Sequence, residues 1–220
     1  MQRRLAFSEA LDVVDQMARG LEAAHARGIV HRDLKPSNTL IVRDDQGSLV
    51  KLLDFGLSKG AVSDGVDQTA SGVVIGTARY LSPEQARSPH VDGRSDVYAL
   101  GCIAYELLLG RHPFPEARTP IAAIAAHLTA PVPPPRTIWP QIPVALDLLL
   151  FSMLAKDPSY RPSLAQVRSV IADLRAPAEP RRQRTATEPG QIPAHYVRVE
   201  SVALLMLALL VGVLIGAFMI

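Results

Sequence analysis

The sequence predicts a mainly α-helical body that carries one small β-hairpin, followed by a single transmembrane helix. Three observations predict this. Apolar residues recur at helical spacing in several segments of the body. One short stretch is strand-like on either side of Asp45-Gln46-Gly47. The last 20 residues, Ser201–Ile220, carry no charge. The chain has 220 residues, room for about one domain. Its 48% hydrophobic content is inflated by that C-terminal run, in which only Ser201, Gly212 and Gly216 fall outside the hydrophobic set. Without the run the remainder is roughly 44% hydrophobic, ordinary for a soluble domain. A disordered chain and a polytopic membrane protein are excluded. Cys102 is the only cysteine, so a disulfide scaffold is excluded and a reducing compartment suits the chain. With 23 basic against 21 acidic residues, the charge is too balanced to predict a nucleic-acid partner. Eighteen prolines and only eleven aromatic residues predict long loops.

Taken in order, the first helix runs from a cap at Ser8 to about Ala26, because Leu11, Val14, Ala18 and Leu21 share a face and Gly28 follows its end. Val97–Leu109 is almost wholly apolar but too short to span a bilayer, and it contains Glu106. It reads as a buried core helix stopped by Gly110. Further helices are predicted over Ile121–Leu128, Ala145–Leu154 and Leu164–Leu174, with a loop at Pro131, Pro133, Pro134 and Pro135. Ala176–Arg198 carries prolines, arginines and few large apolar residues, the composition of a flexible tether. The final run reads as a membrane span of about 30 Å. The alternative is a buried helix. Arg175, Arg181, Arg182, Arg184 and Arg198 precede the span and predict a cytoplasmic body. Gly212 and Gly216 form a small-xxx-small pair that would let a second helix approach closely, a face for a homodimer.

The hairpin joins Leu40-Ile41-Val42 to Leu49-Val50-Lys51-Leu52-Leu53. A three-residue loop with glycine last fits Asp45-Gln46-Gly47. In that register Asp44 faces Ser48, and Asn38 faces Asp54 at the open end of the ribbon. Two oxygen-bearing side chains placed together would suit Mg²⁺, which is completed by phosphate and water. The two residues could equally cap strand ends. Spacing alone leaves both readings open.

The neighbouring residues favour the first. Asn38 closes His31-Arg32-Asp33-Leu34-Lys35-Pro36-Ser37-Asn38, and Asp54 opens Asp54-Phe55-Gly56. These resemble the catalytic loop and the metal-binding triplet of protein kinases. Gly76-Thr77-Ala78-Arg79-Tyr80-Leu81-Ser82-Pro83-Glu84 resembles the end of a kinase activation segment, with Ser82 where the family usually has alanine. Asp96 in Ser95-Asp96-Val97-Tyr98 resembles the start of the family's central helix. Arg161 in Tyr160-Arg161-Pro162-Ser163 resembles the arginine that pairs with the segment's closing glutamate, here Glu84. The resemblance covers about Leu5 to Leu174, and its wording is similar to bacterial serine/threonine kinases of eukaryotic type.

The resemblance implies that Asp33 orients or accepts the proton of a substrate hydroxyl and that Lys35 reaches the transferring phosphate of ATP. It implies that Asn38 and Asp54 hold Mg²⁺ against the ATP phosphates, and that Gly56 gives the segment backbone freedom. Arg32 beside Asp33 implies activation by a phosphate on the segment, for which Thr69 and Ser71 are the candidate sites. Thr77 would contact Asp33 and Lys35. His31 and Phe55 would be packing residues, Asp96 would hydrogen-bond the catalytic-loop backbone, and Glu84 and Arg161 would form a buried structural pair. His25, His90, His112, His127 and His195 lie in no metal-ligand spacing and read as core or surface histidines. Trp139 reads as packing under the proline-rich loop.

The family's N-terminal lobe, with its Gly-rich loop and phosphate-orienting lysine, cannot be placed in this sequence. The expected fold class is therefore a mainly α, protein-kinase-like C-lobe with a catalytic hairpin and no N-lobe, plus one transmembrane helix. Its parts are a partial kinase domain over 1–175, a Pro/Arg-rich juxtamembrane linker over 176–199 and a transmembrane helix over 200–220. The expected function is that of a membrane-anchored serine/threonine kinase fragment acting on proteins, weak or inactive alone. Its expected partners are protein substrates, ATP and the lipid bilayer, and its expected place is the inner or plasma membrane with the lobe in the cytoplasm. A tail-anchored, catalytically dead interaction module and a small-molecule phosphotransferase are the alternatives.

Overall fold

A computed structural model describes residues 5–44, 47–55, 78–88 and 90–176 of the chain. All of them lie within the contact unit Met1–Ala176. The element order is α1 (Phe7–His25), β1 (Thr39–Asp44), β2 (Gly47–Leu52), α2 (Arg94–Leu109), α3 (Pro120–Thr129), α4 (Val144–Met153) and α5 (Leu164–Arg175), with short 3₁₀ turns at Pro36–Asn38, Pro135–Thr137 and Pro158–Tyr160.

The helix α2 is the axis of the core. From Ser95 to Tyr105 every residue is buried, as its apolar sequence requires. It packs against α1 on one side and α4 on another, and α5 closes the bundle against α1 and α4. Leu11, Met17 and Leu21 of α1 meet Leu100 and Tyr105 of α2 and Leu150 and Met153 of α4 in one cluster. The glycine in the middle of α2 has a packing reason. A Cβ on Gly101 would lie 2.9 Å from the Cβ of Met153, so only glycine lets α2 and α4 approach this closely. Gly110 ends α2 in the left-handed conformation, φ 73°. The polar face of α1 is tied to α5 by charge. Arg168 reaches Asp15 at 3.3 Å and Glu22 at 2.6 Å.

The helix α1 also holds the hairpin. The Gln16 side chain donates to the Ser48 carbonyl at 2.8 Å and accepts from the Val50 amide at 3.0 Å. One amide side chain on a helix thus satisfies the edge of β2 as a third strand would.

Several expectations are corrected. The first helix begins at Phe7, with Glu9 Oε2 accepting from the Ala6 amide at 3.4 Å. Ser8 lies inside it and does not cap it. The helix α2 starts three residues before Val97, at Arg94. The hairpin register is shifted by one. Asp44 pairs with Gly47 and Arg43 with Ser48, so the loop has two residues and Gly47, φ 132°, opens β2. The fold class itself is corrected in its membrane part. Among the described residues no helix is long and apolar enough to cross a membrane. The most buried helix, α2, has 16 residues and carries Asp96 and Glu106, too short and too polar for a span. The helix expected over 200–220, with Gly212 and Gly216, lies outside the described residues, as does the linker from 177 to 199. What is described is a mainly α fold with one two-stranded sheet.

Candidate active site

The segment 31–38 lies between α1 and the hairpin and is held from below by α2. Asp96, in the first turn of α2, is the anchor. Its Oδ2 accepts from the His31 amide and its Oδ1 from the Arg32 amide, both at 2.8 Å. The positive end of the helix dipole favours the buried carboxylate there. His25, at the end of α1, brings Nε2 to 2.7 Å from Asp96 Oδ2. Its ring fits only because residue 93 is glycine, where a Cβ would fall 2.5 Å from it. Arg32 is held at φ 67°, a left-handed conformation that costs an ordinary residue about 1–2 kcal/mol. The Asp96 carboxylate and the Gln85 side chain, which donates to the Arg32 carbonyl at 2.6 Å, hold that backbone in place.

This strained turn presents Asp33. Its Oδ2 accepts from Lys35 Nζ at 2.8 Å and from Asn38 Nδ2 at 3.1 Å. Asn38 Nδ2 also donates to the Asp33 carbonyl at 2.9 Å. The 3₁₀ turn Pro36–Asn38 makes this possible, because proline at its start costs no hydrogen bond and the turn folds Asn38 back over Asp33. With the amide N–H groups of Asn38 directed at Asp33, its Oδ1 is left as an acceptor. The Leu53 amide donates to the Asn38 carbonyl at 2.9 Å. Asn38 therefore opposes Leu53, and the expected facing of Asn38 and Asp54 is displaced by the same single residue as the hairpin register. Asp54, one residue past Asn38's partner, is exposed and stands at φ 59°.

Among the described residues no group of three or more His, Cys, Asp or Glu side chains could hold a metal. A site built from one amide oxygen and one carboxylate is not a closed cage. It fits Mg²⁺, which takes few protein oxygens and completes its shell with water and phosphate.

The remaining expected residues fall as follows. His31 is fully buried, with its ring 4.6 Å from that of Phe55. Neither of its ring nitrogens has a hydrogen-bond partner among the described residues. Arg32 Nε is buried and likewise without one among them. Glu84 and Arg161 meet in a two-pronged pair, 2.6 and 2.8 Å. Burial alone would raise the Glu84 carboxyl, but the Arg161 guanidinium overrides it and holds the group below its ordinary range. Trp139 packs edge-on against Phe7, centroids 5.5 Å apart. Gly56, Thr69, Ser71 and Thr77 lie outside the described residues.

Sequence reasoning missed His25 and Gln85. His25 acts on Asp96 from 71 positions away and Gln85 on Arg32 from 53, and no local period marks either. The glycine at 93, just before a helix start, was the available signal for His25, since a position without a side chain there leaves room for something packed against it.

Comparison with known proteins shows the family. The sequence model of the family described as "Protein kinase domain" matches residues 2–170. The serine/threonine-protein kinase Pkn1 of Myxococcus xanthus is 44% identical over 169 residues, 76% of this chain and 24% of that protein. A probable serine/threonine-protein kinase, SCO3848 of Streptomyces coelicolor, is 40% identical over 72% of this chain and 23% of its own length. The serine/threonine-protein kinase PknB of Mycobacterium leprae is 37% identical over 82% of this chain and 28% of its own. The chain thus spans about a quarter of the length of these curated relatives.

Proposed function

The chain belongs to the protein kinase family, and on that premise we propose that residues 5–176 form the phosphoryl-transfer centre of a serine/threonine protein kinase of the bacterial type. ATP would be the phosphate donor and a protein serine or threonine hydroxyl the acceptor. The observation that carries the reading is the Asp33 carboxylate, held on one oxygen by Lys35 and Asn38 at 2.8 and 3.1 Å and carried on a backbone that Asp96 fixes.

Phosphoryl transfer needs positioning and charge neutralisation more than covalent help. Asp33 keeps a second carboxylate oxygen to orient the attacking hydroxyl and take its proton as the bond to phosphorus forms. Lys35 Nζ, two residues on, supplies a cation at the other oxygen, Oδ2. Asn38 Oδ1 and Asp54 would hold Mg²⁺, which when bound neutralises the charge of the ATP phosphates. Arg32, whose backbone is locked but whose Nε is unpaired among the described residues, would receive an activating phosphate.

The test is a graft. Residues 5–176 replace the matching segment of the Myxococcus Pkn1, and transfer from Mg·ATP to a generic protein substrate is measured. Phosphoserine or phosphothreonine should form, and Asp33→Asn should lower the rate at least about 100-fold while ATP binding persists. A folded graft that binds Mg·ATP but transfers nothing would refute the reading in favour of a non-catalytic module.

A further inference from the structure

The segment 79–85 lies beside the catalytic loop, and it is fixed at both ends. At one end Gln85 reaches the Arg32 carbonyl at 2.6 Å. At the other, two buried histidines converge on one backbone atom. His112 Nε2 lies 2.7 Å and His127 Nε2 2.8 Å from the carbonyl oxygen of Arg79. A carbonyl oxygen only accepts, so both rings must carry their proton on Nε2. Their other nitrogens agree. His112 Nδ1 accepts from the Phe114 amide at 3.1 Å, and His127 Nδ1 lies 2.9 Å from the Tyr98 hydroxyl, which then donates to it. All four ring nitrogens are thus accounted for in one tautomer per ring, and the two lone pairs of the Arg79 carbonyl are filled.

The clamp is buried. The rings are 3% and 0% exposed. Phe114 stands edge-on to His127, centroids 5.1 Å apart. Lys156 lies 4.5 Å over the Phe114 ring and donates to the carbonyls of Ala126 and His127 at the end of α3. Burial first, and then Arg79 for His112 and His112 for His127, push both imidazoles below their ordinary range. Two histidines from separate elements, His112 after α2 and His127 on α3, converge on one backbone atom of a half-buried strip beside the catalytic loop.

Resting on the function proposed above, we infer that His112 and His127 are positioning residues that set the backbone of residues 79–82, the platform on which a substrate polypeptide lies with its hydroxyl at Asp33. They touch neither ATP nor the reacting atoms, so their effect falls on recognition of the protein substrate.

The experiment uses the full chain. Ring ¹⁵N spectra at neutral pH should show both histidines as the Nε2–H tautomer. His112→Leu and His127→Leu should speed amide exchange over residues 80–82 and raise KM for myelin basic protein about five- to tenfold per variant, with KM for ATP moving less than about twofold. His127→Gln, which keeps a donor for Arg79 and an acceptor for Tyr98, should recover most of the loss. An Nδ1–H tautomer in either ring, unchanged exchange in both leucine variants, or equal change of both KM values would overturn the inference. Should the leucine variants fail to fold, the tautomers and the His127→Gln exchange profile decide it. Should the wild-type chain transfer no phosphate by itself, the graft above decides the kinase reading, and tautomer and exchange alone decide the clamp.

Discussion

Arg161 meets both carboxylate oxygens of Glu84 through separate guanidinium nitrogens, at 2.6 and 2.8 Å, and its side chain is 0% exposed. The same guanidinium donates to the carbonyls of Ala155 and Arg94, both at 2.9 Å. It therefore stitches the segment before α2, the start of α2 and the turn before α5 to one point. Removing Glu84 strands the buried cation. Glu84→Ala is expected to lower stability by about 3–5 kcal/mol, seen as a fall in the urea midpoint at unchanged slope. Because Glu84 ionises more readily in the folded state, its contribution is present above the ordinary carboxylate range and fades as pH falls below it.

Asp96 serves the catalytic loop in a different way, by accepting rather than pairing. One carboxylate takes the His31 and Arg32 amides and the His25 ring. In Asp96→Asn one of these oxygens becomes an N–H₂ donor facing another donor. Arg32 should then relax from φ 67° toward an ordinary conformation and carry Asp33 with it. The expected result is faster exchange of the His31 and Arg32 amides and a fall in transfer rate of about tenfold or more. A variant that keeps wild-type exchange and rate would exclude Asp96 as the anchor.

Gly93→Ala tests the same anchor from the other side. The added Cβ would sit 2.5 Å from the His25 ring, so the ring must leave Asp96. The substitution should destabilise by about 1–3 kcal/mol, and His25→Ala in the same chain should recover most of that loss. Thermal unfolding of the two single variants and the double reads the coupling directly.

Local chemistry was legible in the sequence and long-range chemistry was not. The runs His31–Asn38 and Asp54–Phe55 announce themselves because their residue types are fixed by what neighbouring atoms must do. The core helix α2 announces itself because its apolar run is uninterrupted between Asp96 and Glu106. The hairpin was seen but its register slipped by one, since Asp45-Gln46-Gly47 fits a two- or a three-residue loop and only the pairing of Gly47 with Asp44 decides. The expected cap at Ser8 failed because Glu9, one residue on, supplies the acceptor for the helix start. His25, His112 and His127 read as ordinary core or surface histidines. Their partners lie 71, 33 and 48 positions away, and no spacing rule spans such distances. The apolar run at 201–220 drove the expectation of a span, a compositional inference that no described helix supports.

The buried histidines also predict how the fold responds to acid. His127 is fully buried, and burial, reinforced by the nearby His112, pushes its imidazole down to about 3. Lys156 and Arg79 add positive charge on the same side, and His112 is lowered for the same reasons, burial first and Arg79 second. In the unfolded chain the same ring takes a proton near its ordinary value of about 6.5. Between those two values the unfolded state binds a proton that the folded state refuses, so stability must rise with pH across the window and fall as acid is added. The contribution is intact above about pH 6.5 and declines by up to about 1.4 kcal/mol per pH unit below it. Urea unfolding from pH 7 to pH 4 should show this slope in the wild-type chain and a shallower one in His127→Gln, which cannot titrate. Parallel slopes for the two proteins would mean that His127 does not carry the acid sensitivity.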